Sequence, residues 1–355
     1  MARSNHAFFL TRQCFSLFLL LQKLTFRKHP KTNQHLLLID TTMIFPTLPR
    51  DINIRSRIIK IFEKTSDKKW NGTDGDDRLF RSLFGVSLEL SIRLWGMCLF
   101  PPKFNVEHFM DALHFMKTYP TIDVLETRLP FSRKTIIKYH WIVIDRIASL
   151  SGQVVSFYWL VVVSLLCPLV VSNFATFSSQ IIWDNRHLGS DRKRTCLITV
   201  DGTDFRIREP YPFAKAWYSH KFKGPGLRYE VGVCIQTGHI VWINGPYACG
   251  MWNDQKIFNH GLKHWLGEGE RVEADSGYQG PQIVRPDDYA SREEKKAKDL
   301  ARYRHETINR RFKQFAILSQ PFRHPLKKHE KVFRAVAVIT QLEIANGPGP
   351  FHVIY

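Results

Sequence analysis

Thr195-Cys-Leu-Ile-Thr-Val-Asp-Gly-Thr-Asp204 is the stretch on which the fold turns. Residues 195–207 alternate and end in β-formers, so they read as a first strand delivering Asp201. Downstream, Tyr229-Glu-Val-Gly-Val-Cys-Ile235 and His239-Ile-Val-Trp-Ile243 flank Gln236-Thr-Gly238, a β-hairpin by composition and loop length. Asp254 precedes Ile257, Phe258, Leu262, Trp265 and Leu266 at helical spacing, which puts it near a helix start and makes it a candidate cap. Val272 then leads a short strand into Asp275, within Arg271-Val-Glu-Ala-Asp-Ser-Gly-Tyr278, and Gly277 permits a sharp turn. The order is strand, hairpin, helix, strand and helix.

The last of these helices holds Ala301-Arg-Tyr-Arg-His-Glu-Thr-Ile-Asn-Arg-Arg-Phe-Lys313. At helical periodicity Arg302, Glu306 and Lys313 fall within about 40° of one another, while Ile308, Phe312 and Phe315 fall roughly opposite and form the buried seam. Glu306 therefore projects from the polar face, flanked by cations that suit phosphate. A solvated helix with ordinary charge pairs is the competing reading. Asp201, Asp275 and Glu306 could be gathered by neighbouring elements. Carboxylates crowd in this way only around a cation, because bare like charges in contact cannot all stay ionised. Magnesium, a hard ion that takes oxygen ligands, is the expected partner.

Arg302, Glu306 and Lys313 resemble the signature around the catalytic glutamate of DDE-type transposases of bacterial insertion sequences. Asp299 stands where that signature often has a tyrosine. Residues 190–355 as a whole resemble the nuclease domain of the Harbinger-type DDE endonucleases. The matching pieces are Val200-Asp-Gly-Thr203, Trp252-Asn-Asp254, Ala274-Asp-Ser-Gly-Tyr278 and the Glu306 helix, in the expected order. Asn253 precedes Asp254 where a histidine is common.

The resemblance implies an α/β fold, an RNase H-like mixed sheet with flanking helices. It also implies a metal-dependent DNA endonuclease that hydrolyses phosphodiesters, with strand transfer as a further step. Asp201, Asp275 and Glu306 would be catalytic. Together with Asp254 they would hold divalent metal, Mg2+ with Mn2+ as substitute. Arg302, Arg310, Arg311 and Lys313 are candidates for DNA contact. Such proteins act in the nucleus, on paired DNA ends as homo-oligomers, with an accessory DNA-binding protein as a further candidate partner. The rival from another class is a domesticated or inactive relative that binds DNA without cutting it.

Composition points the same way without deciding it. The 355 residues carry a formal net charge of +19, with a pI near 9.8. Such an excess favours a polyanionic partner, since counterion release rewards each neutralised phosphate, but it does not separate DNA from RNA or an anionic membrane surface. The six cysteines form no close pairs, which suits a reducing compartment and excludes a zinc ribbon. Asp204 and Glu209 lie near Asp201, where solvation competes with a metal role. His260 and His264 stand four apart with no third ligand nearby, so an exposed pair is expected. Trp217-Tyr-Ser-His-Lys-Phe-Lys-Gly224 reads equally as a nucleic-acid contact or as a loop tying the first strand to the hairpin.

In the first half, residues 78–150 form an all-helical, helix-turn-helix-like module. Val106, Phe109, Met110 and Leu113 line its first helix. Thr121 caps a second ending by Leu129, and Ser132 introduces a third that carries Arg133, Lys134, Lys138 and His140. Arg133, Lys134 and Lys138 are the candidate DNA contacts, as on a recognition helix, and a plain helical bundle is the alternative. Residues 1–77 are an unassigned extension ending in a flexible linker, 66–77. The first 40 residues are consistent with a targeting peptide or with an upstream start to which Met43 is the alternative. Residues 151–180 are an apolar insert. For 154–175 three accounts compete: a membrane helix, a buried helix, or coding sequence foreign to the fold, such as a retained intron. A membrane-anchored basic protein is thus a third functional reading.

Overall fold

Small polar side chains punctuate the N-terminal half, and each stands where a helix begins. The computed structural model describes residues 51–101, 104–151, 183, 185–187, 196–212, 214–285, 288 and 291–346. Both the extension before 51 and the apolar stretch 154–175 lie outside them. The described helices of this half are α1 (Asp51–Ser66), α2 (Asp74–Phe84), α3 (Leu88–Met97), α4 (Val106–Thr118), α5 (Ile122–Arg128) and α6 (Arg133–Ser149). Thr73, Ser87, Asn105, Thr121 and Ser132 cap α2 to α6, each accepting a backbone N–H of the first turn that has no partner within its helix. The three helices expected over 105–150 start and stop where their caps indicate.

Three expectations need correction here. Residues 66–77 are not a loose tether: Trp70 packs edge-on against Phe62 and Phe80, and the Asp76 carboxylate accepts the N–H groups of Asn71 and Thr73. Turn-forming residues here build a capping box. Part of the unassigned extension, α1, buries Ile58 and Phe62 in the core. His140, read with the basic residues of the third helix, is buried with its Nε2 2.6 Å from Asp111 Oδ2.

A mixed six-stranded sheet follows: β1 (Cys196–Arg206), β2 (Tyr218–Ser219), β3 (Gly224–Cys234), β4 (Ile240–Ala248), β5 (Arg271–Glu273) and β6 (Ile283–Val284). β1 is central. On one side β3 runs antiparallel to it and β4 antiparallel to β3; on the other, β5 is parallel to β1 and β6 parallel to β5. β2 pairs with the start of β3. The expected hairpin is β3–β4, closed by Cys234 accepting the Gly238 N–H and donating to His239. Helix α7 (Asp254–His260) lies between β4 and β5, and α8 (Arg292–Lys313), α9 (Ala316–Ser319) and α10 (His329–Asn346) close the fold.

Each face of the sheet has its own core. Phe205, Tyr229, Val231 and Val233 pack with Ile308, Phe312, Phe333 and Val336 of α8 and α10. Ile198, Val200 and Trp242 pack with Phe258, Leu262, Val272 and Tyr278 on the α7 face. Helices α1–α6 join the first core: Phe62, Phe84, Phe109 and Ile144 belong to it. The regions read as a helical module and a separate domain therefore share one interior, and the described residues from Ile52 onward form one compact unit. Among the described residues no helix is long and apolar enough to cross a membrane.

Candidate active site

Thr199 of β1 pairs with Val233 on one side and with Glu273 of β5 on the other. Asp201 stands two residues further along β1, and Asp275 two residues past Glu273, just beyond the end of the parallel strand β5. Side chains two apart share a face, so both acids emerge beside each other. Helix α8 crosses that face and presents Glu306. Asp201, Asp275 and Glu306 line one cleft of about 370 Å³, together with Glu273, Ser276, Arg285, Lys298, Arg302 and His305.

Two buried residues next to Glu306 fix the rotation of α8. Arg304 donates from its guanidinium to the carbonyls of Cys234 (3.0 Å) and Ile235 at the end of β3. His305 Nδ1 lies 2.7 Å from the Thr199 hydroxyl. With Ile308 and Phe312 in the core, the wheel drawn from the sequence is the one the helix adopts: Arg302 and Lys313 are exposed and Glu306 is half-buried. Arg302 Nε lies 3.8 Å from Glu306 Oε1. Asn309 Nδ2 donates to Asp201 Oδ2 at 2.9 Å, tying the helix to the first acid.

Asp254 arrives differently from the other three. Strand alternation turns Asp201 toward α8 and Gly202 toward α7, and a β-carbon on Gly202 would lie 1.9 Å from Asp254 Oδ1. Asp254 is thus on the α7 face of β1 and does not line the cleft. Beyond Glu273, where β5 ends, it nears Asp275: a β-carbon on Gly277 would lie 3.0 Å from Asp275 Oδ1 and 4.0 Å from Asp254 Oδ2. The helix cap is Asn253, whose side chain accepts the Lys256 N–H, and Asp254 is the first helical residue. Arg228 Nη1 approaches Asp254 Oδ1 at 3.3 Å without hydrogen-bond geometry, so that buried oxygen has no hydrogen-bond partner. The same guanidinium grips Asp204 through Nε at 2.6 Å and Nη2 at 2.9 Å. Asp204 is therefore a structural anion, and Glu209 is exposed at the far end of the strand.

Burial raises the proton affinity of Asp201, Asp275 adds to it, and Lys221 and Lys313 oppose it. Burial likewise raises Asp254, with Arg228 and Lys221 opposing and Asp201 and Asp275 adding. Such crowding of carboxylates suits a hard divalent cation, whereas the orphaned Asp254 oxygen faces the Arg228 guanidinium on the other side of β1. Spacing is less complete: among the described residues no three Asp, Glu, His or Cys groups are drawn together closely enough to hold an ion. The donor chemistry fits, and Glu306 stands apart from the aspartates against Arg302.

Lys221 supplies the cation nearest the strand, donating from Nζ to the Gly202 carbonyl at 2.8 Å. It comes from the aromatic–basic stretch 217–224, which is a loop and short strand tied to β3. Of the other candidates, Lys313 sits near Asp201, Arg310 is exposed, and Arg311 lines a separate groove with Arg78, Lys117 and Glu343. Arg133 is taken up by Asp123 and Glu126, while Lys134 and Lys138 are exposed. His260 and His264 are exposed as expected, and α7 stops between them at Gly261. Sequence reasoning named Lys221 only within the stretch 217–224, without its place beside Gly202, and missed Arg228, Arg285, Lys298 and Asn309. Asn309 and Lys298 could have been found, since they lie on the same helical stripe as Glu306. Compared with protein-family models, curated proteins and solved structures, the chain matches none of them.

Proposed function

We propose that the protein is a metal-dependent DNA endonuclease of the DDE type, acting in the nucleus. One observation carries this reading: Asp201 on β1 and Asp275, two residues past the end of the adjacent parallel strand β5, share a cation-rimmed cleft with Glu306. The sheet order β4-β3-β1-β5-β6, antiparallel and then parallel, supports an RNase H-like fold. So does the resemblance of residues 190–355 to Harbinger-type endonucleases. A divalent ion bound between the acids would supply a Lewis acid for the phosphate and a water that ionises near neutral pH.

The residues of the chain do the rest. Asp201 offers its oxygens from β1 and Asp275 from the turn that follows β5, and Glu306 completes the set from α8. Asp254 lends negative charge from the opposite face of β1 and is held back by Arg228. Arg285 and Arg302 at the rim, with Lys221 and Lys313 beside Asp201, are suited to the charge of the scissile phosphate and its neighbours, while the buried Lys298 adds positive charge to the cleft wall. Hydrolysis would leave a 3′-hydroxyl, the group that a transposase turns on a target strand.

Nicking of supercoiled plasmid in Mg2+ or Mn2+ tests the reading. Cleavage that disappears with chelator, and in Asp201→Asn and Asp275→Asn proteins that still bind DNA, is expected. Undiminished cleavage by Asp201→Asn would overturn it. The second reading, DNA binding without cutting, draws support from Glu306 resting against Arg302 while no three acids converge among the described residues. Salt-sensitive binding with no nicking in either metal would favour it.

A further inference from the structure

We propose that a second surface, away from the acid cleft, grips the phosphate backbone of duplex DNA: the exposed stripe of α6 joined to the lysine-rich turn that leads into α10. The inference rests on DNA as the substrate, but not on cleavage. Lys134, Lys138, Trp141 and Asp145 recur at intervals of four, three and four, so they form one stripe along the helix. Lys134 and Lys138 are exposed, with the 40% exposed Ile137 between them. Lys328 lies with Nζ 3.9 Å from the centre of the Trp141 ring, and exposed Lys327 is its neighbour. Asp145, the acid on the stripe, is already taken by Lys331 at 2.9 Å.

The positive charges therefore accumulate without matching acids. His324, whose ring centre is 5.1 Å from that of Trp141, has its pKa pulled down to about 4, first by burial and then by Lys328, Arg323, His140 and Arg208. Lys328 is itself depressed by burial and by the charges of Lys327 and Lys331, with Asp145 opposing. Cations held this close repel one another, and a polyanion relieves that repulsion while releasing its own counterions.

The geometry selects the partner. From residue 134 to 145 the stripe runs about 17 Å, at 1.5 Å per residue, or roughly five base pairs at 3.4 Å each. One face of the half-buried Trp141 ring is covered by Lys328 and His324 meets the ring edge-to-face, so no run of open aromatic faces is offered for stacking unpaired bases, as single-strand binding uses. Ile137 is the one large apolar side chain of the stripe that protrudes, too little to anchor a membrane. Lysines alone position a duplex without reading its sequence.

The test measures binding of a labelled 25-base-pair duplex across a salt series, with the full chain carrying Lys134→Gln, Lys138→Gln, Lys327→Gln and Lys328→Gln. Each phosphate left without its lysine should lower the slope of log K against log salt by about 0.9. The fourfold variant should thus lose a slope of about 3.6, and at least tenfold in affinity. A control with the same charge change, Lys60→Gln, Lys64→Gln, Lys68→Gln and Lys69→Gln, carries the change on exposed lysines of α1 and the turn after it and should retain most of the slope. Should the fourfold variant melt early, Lys134→Gln with Lys327→Gln gives half the effect on two exposed positions. Equal losses in test and control, an unchanged slope, or loss confined to phosphatidylserine vesicles with duplex binding intact would overturn the proposal. Because binding is read without metal, absence of nicking leaves this result standing, and it is the plasmid assay that judges catalysis.

Discussion

Gly202 and Asp254 occupy one another's space: a β-carbon on the glycine would lie 1.9 Å from one carboxylate oxygen and 2.8 Å from the carboxylate carbon. The glycine in Asp-Gly-Thr thus makes room for the acid of the opposite face. Gly202→Ala must push Asp254 away from β1 and strain its approach to Arg228. The expected cost is about 1–3 kcal/mol, as for other overpacked sites, with at least a tenfold drop in nicking. Thermal melts and the plasmid assay measure both, and a fully active, fully stable variant would contradict the arrangement.

Asp201 carries a cost that its removal should reveal. Its folded pKa lies above the ordinary value, so the charged form is disfavoured by folding, and stability declines as pH rises through the folded pKa. Asp201→Asn should therefore melt higher than the parent at pH 7 while losing all cleavage. The difference should vanish toward pH 3, where both side chains are neutral. A variant less stable than the parent at pH 7 argues against the electrostatic account.

Glu230 should dominate the pH profile between weakly acidic and weakly basic conditions. It is fully buried, accepts the Trp242 indole N–H at 2.8 Å, and burial pushes its pKa up to about 8. Its unfolded value is near 4.3, so the folded protein holds a proton that the unfolded chain has released, and stability falls as pH rises up to about 8. Chemical denaturation of Glu230→Gln should show a shallower decline over that window and a more stable protein at pH 8.5. A parallel pair of pH curves would rule this out.

Asp204 is expected to matter for folding and not for metal. Its buried carboxylate holds Arg228 at 2.6 and 2.9 Å and accepts the Ser219 hydroxyl at 2.6 Å. Asp204→Ala leaves a buried guanidinium with only Asp254 and the Trp252 carbonyl among its described partners, a loss of about 3–5 kcal/mol. Denaturant titration reads the cost. Asp204→Asn should keep part of the network and cleave DNA in the same metals as the parent, whereas a selective loss of the metal response would return Asp204 to the site.

What could be read from the sequence was local. Alternation marked β1, a glycine loop marked the β3–β4 hairpin, and the periodicity of 301–313 separated Glu306 from Ile308 and Phe312. Apolar spacing marked α4, and the capping residues Thr121 and Ser132 marked the starts of α5 and α6. Four acids were gathered in one expectation, yet Asp254 reaches the strand from the other side. Its face depends on where α7 packs, a long-range matter that no spacing encodes. The places of Lys221 and Arg228 were missed for the same reason: hairpin register, fixed by partners across the sheet, brings them to Gly202 and Asp204. Residues 66–77 failed in the opposite sense. Turn-formers suggest a tether, and only the docking of Trp70 against Phe62 and Phe80 makes the segment rigid.

The interior shared by the first six helices and the sheet leaves the described residues without a hinge between the proposed DNA-gripping stripe and the proposed cutting cleft. Phe84 and Phe109 sit in the same packed mass as Phe312 and Phe333, so severing the chain near residue 150 would bare both halves to water and yield aggregates instead of two usable pieces. A duplex seated on Lys138 would meet Asp201 at a distance set by the fold, as if measured with a stiff ruler. The position of any cut, counted in base pairs from the gripped segment, should then be constant and indifferent to temperature or crowding.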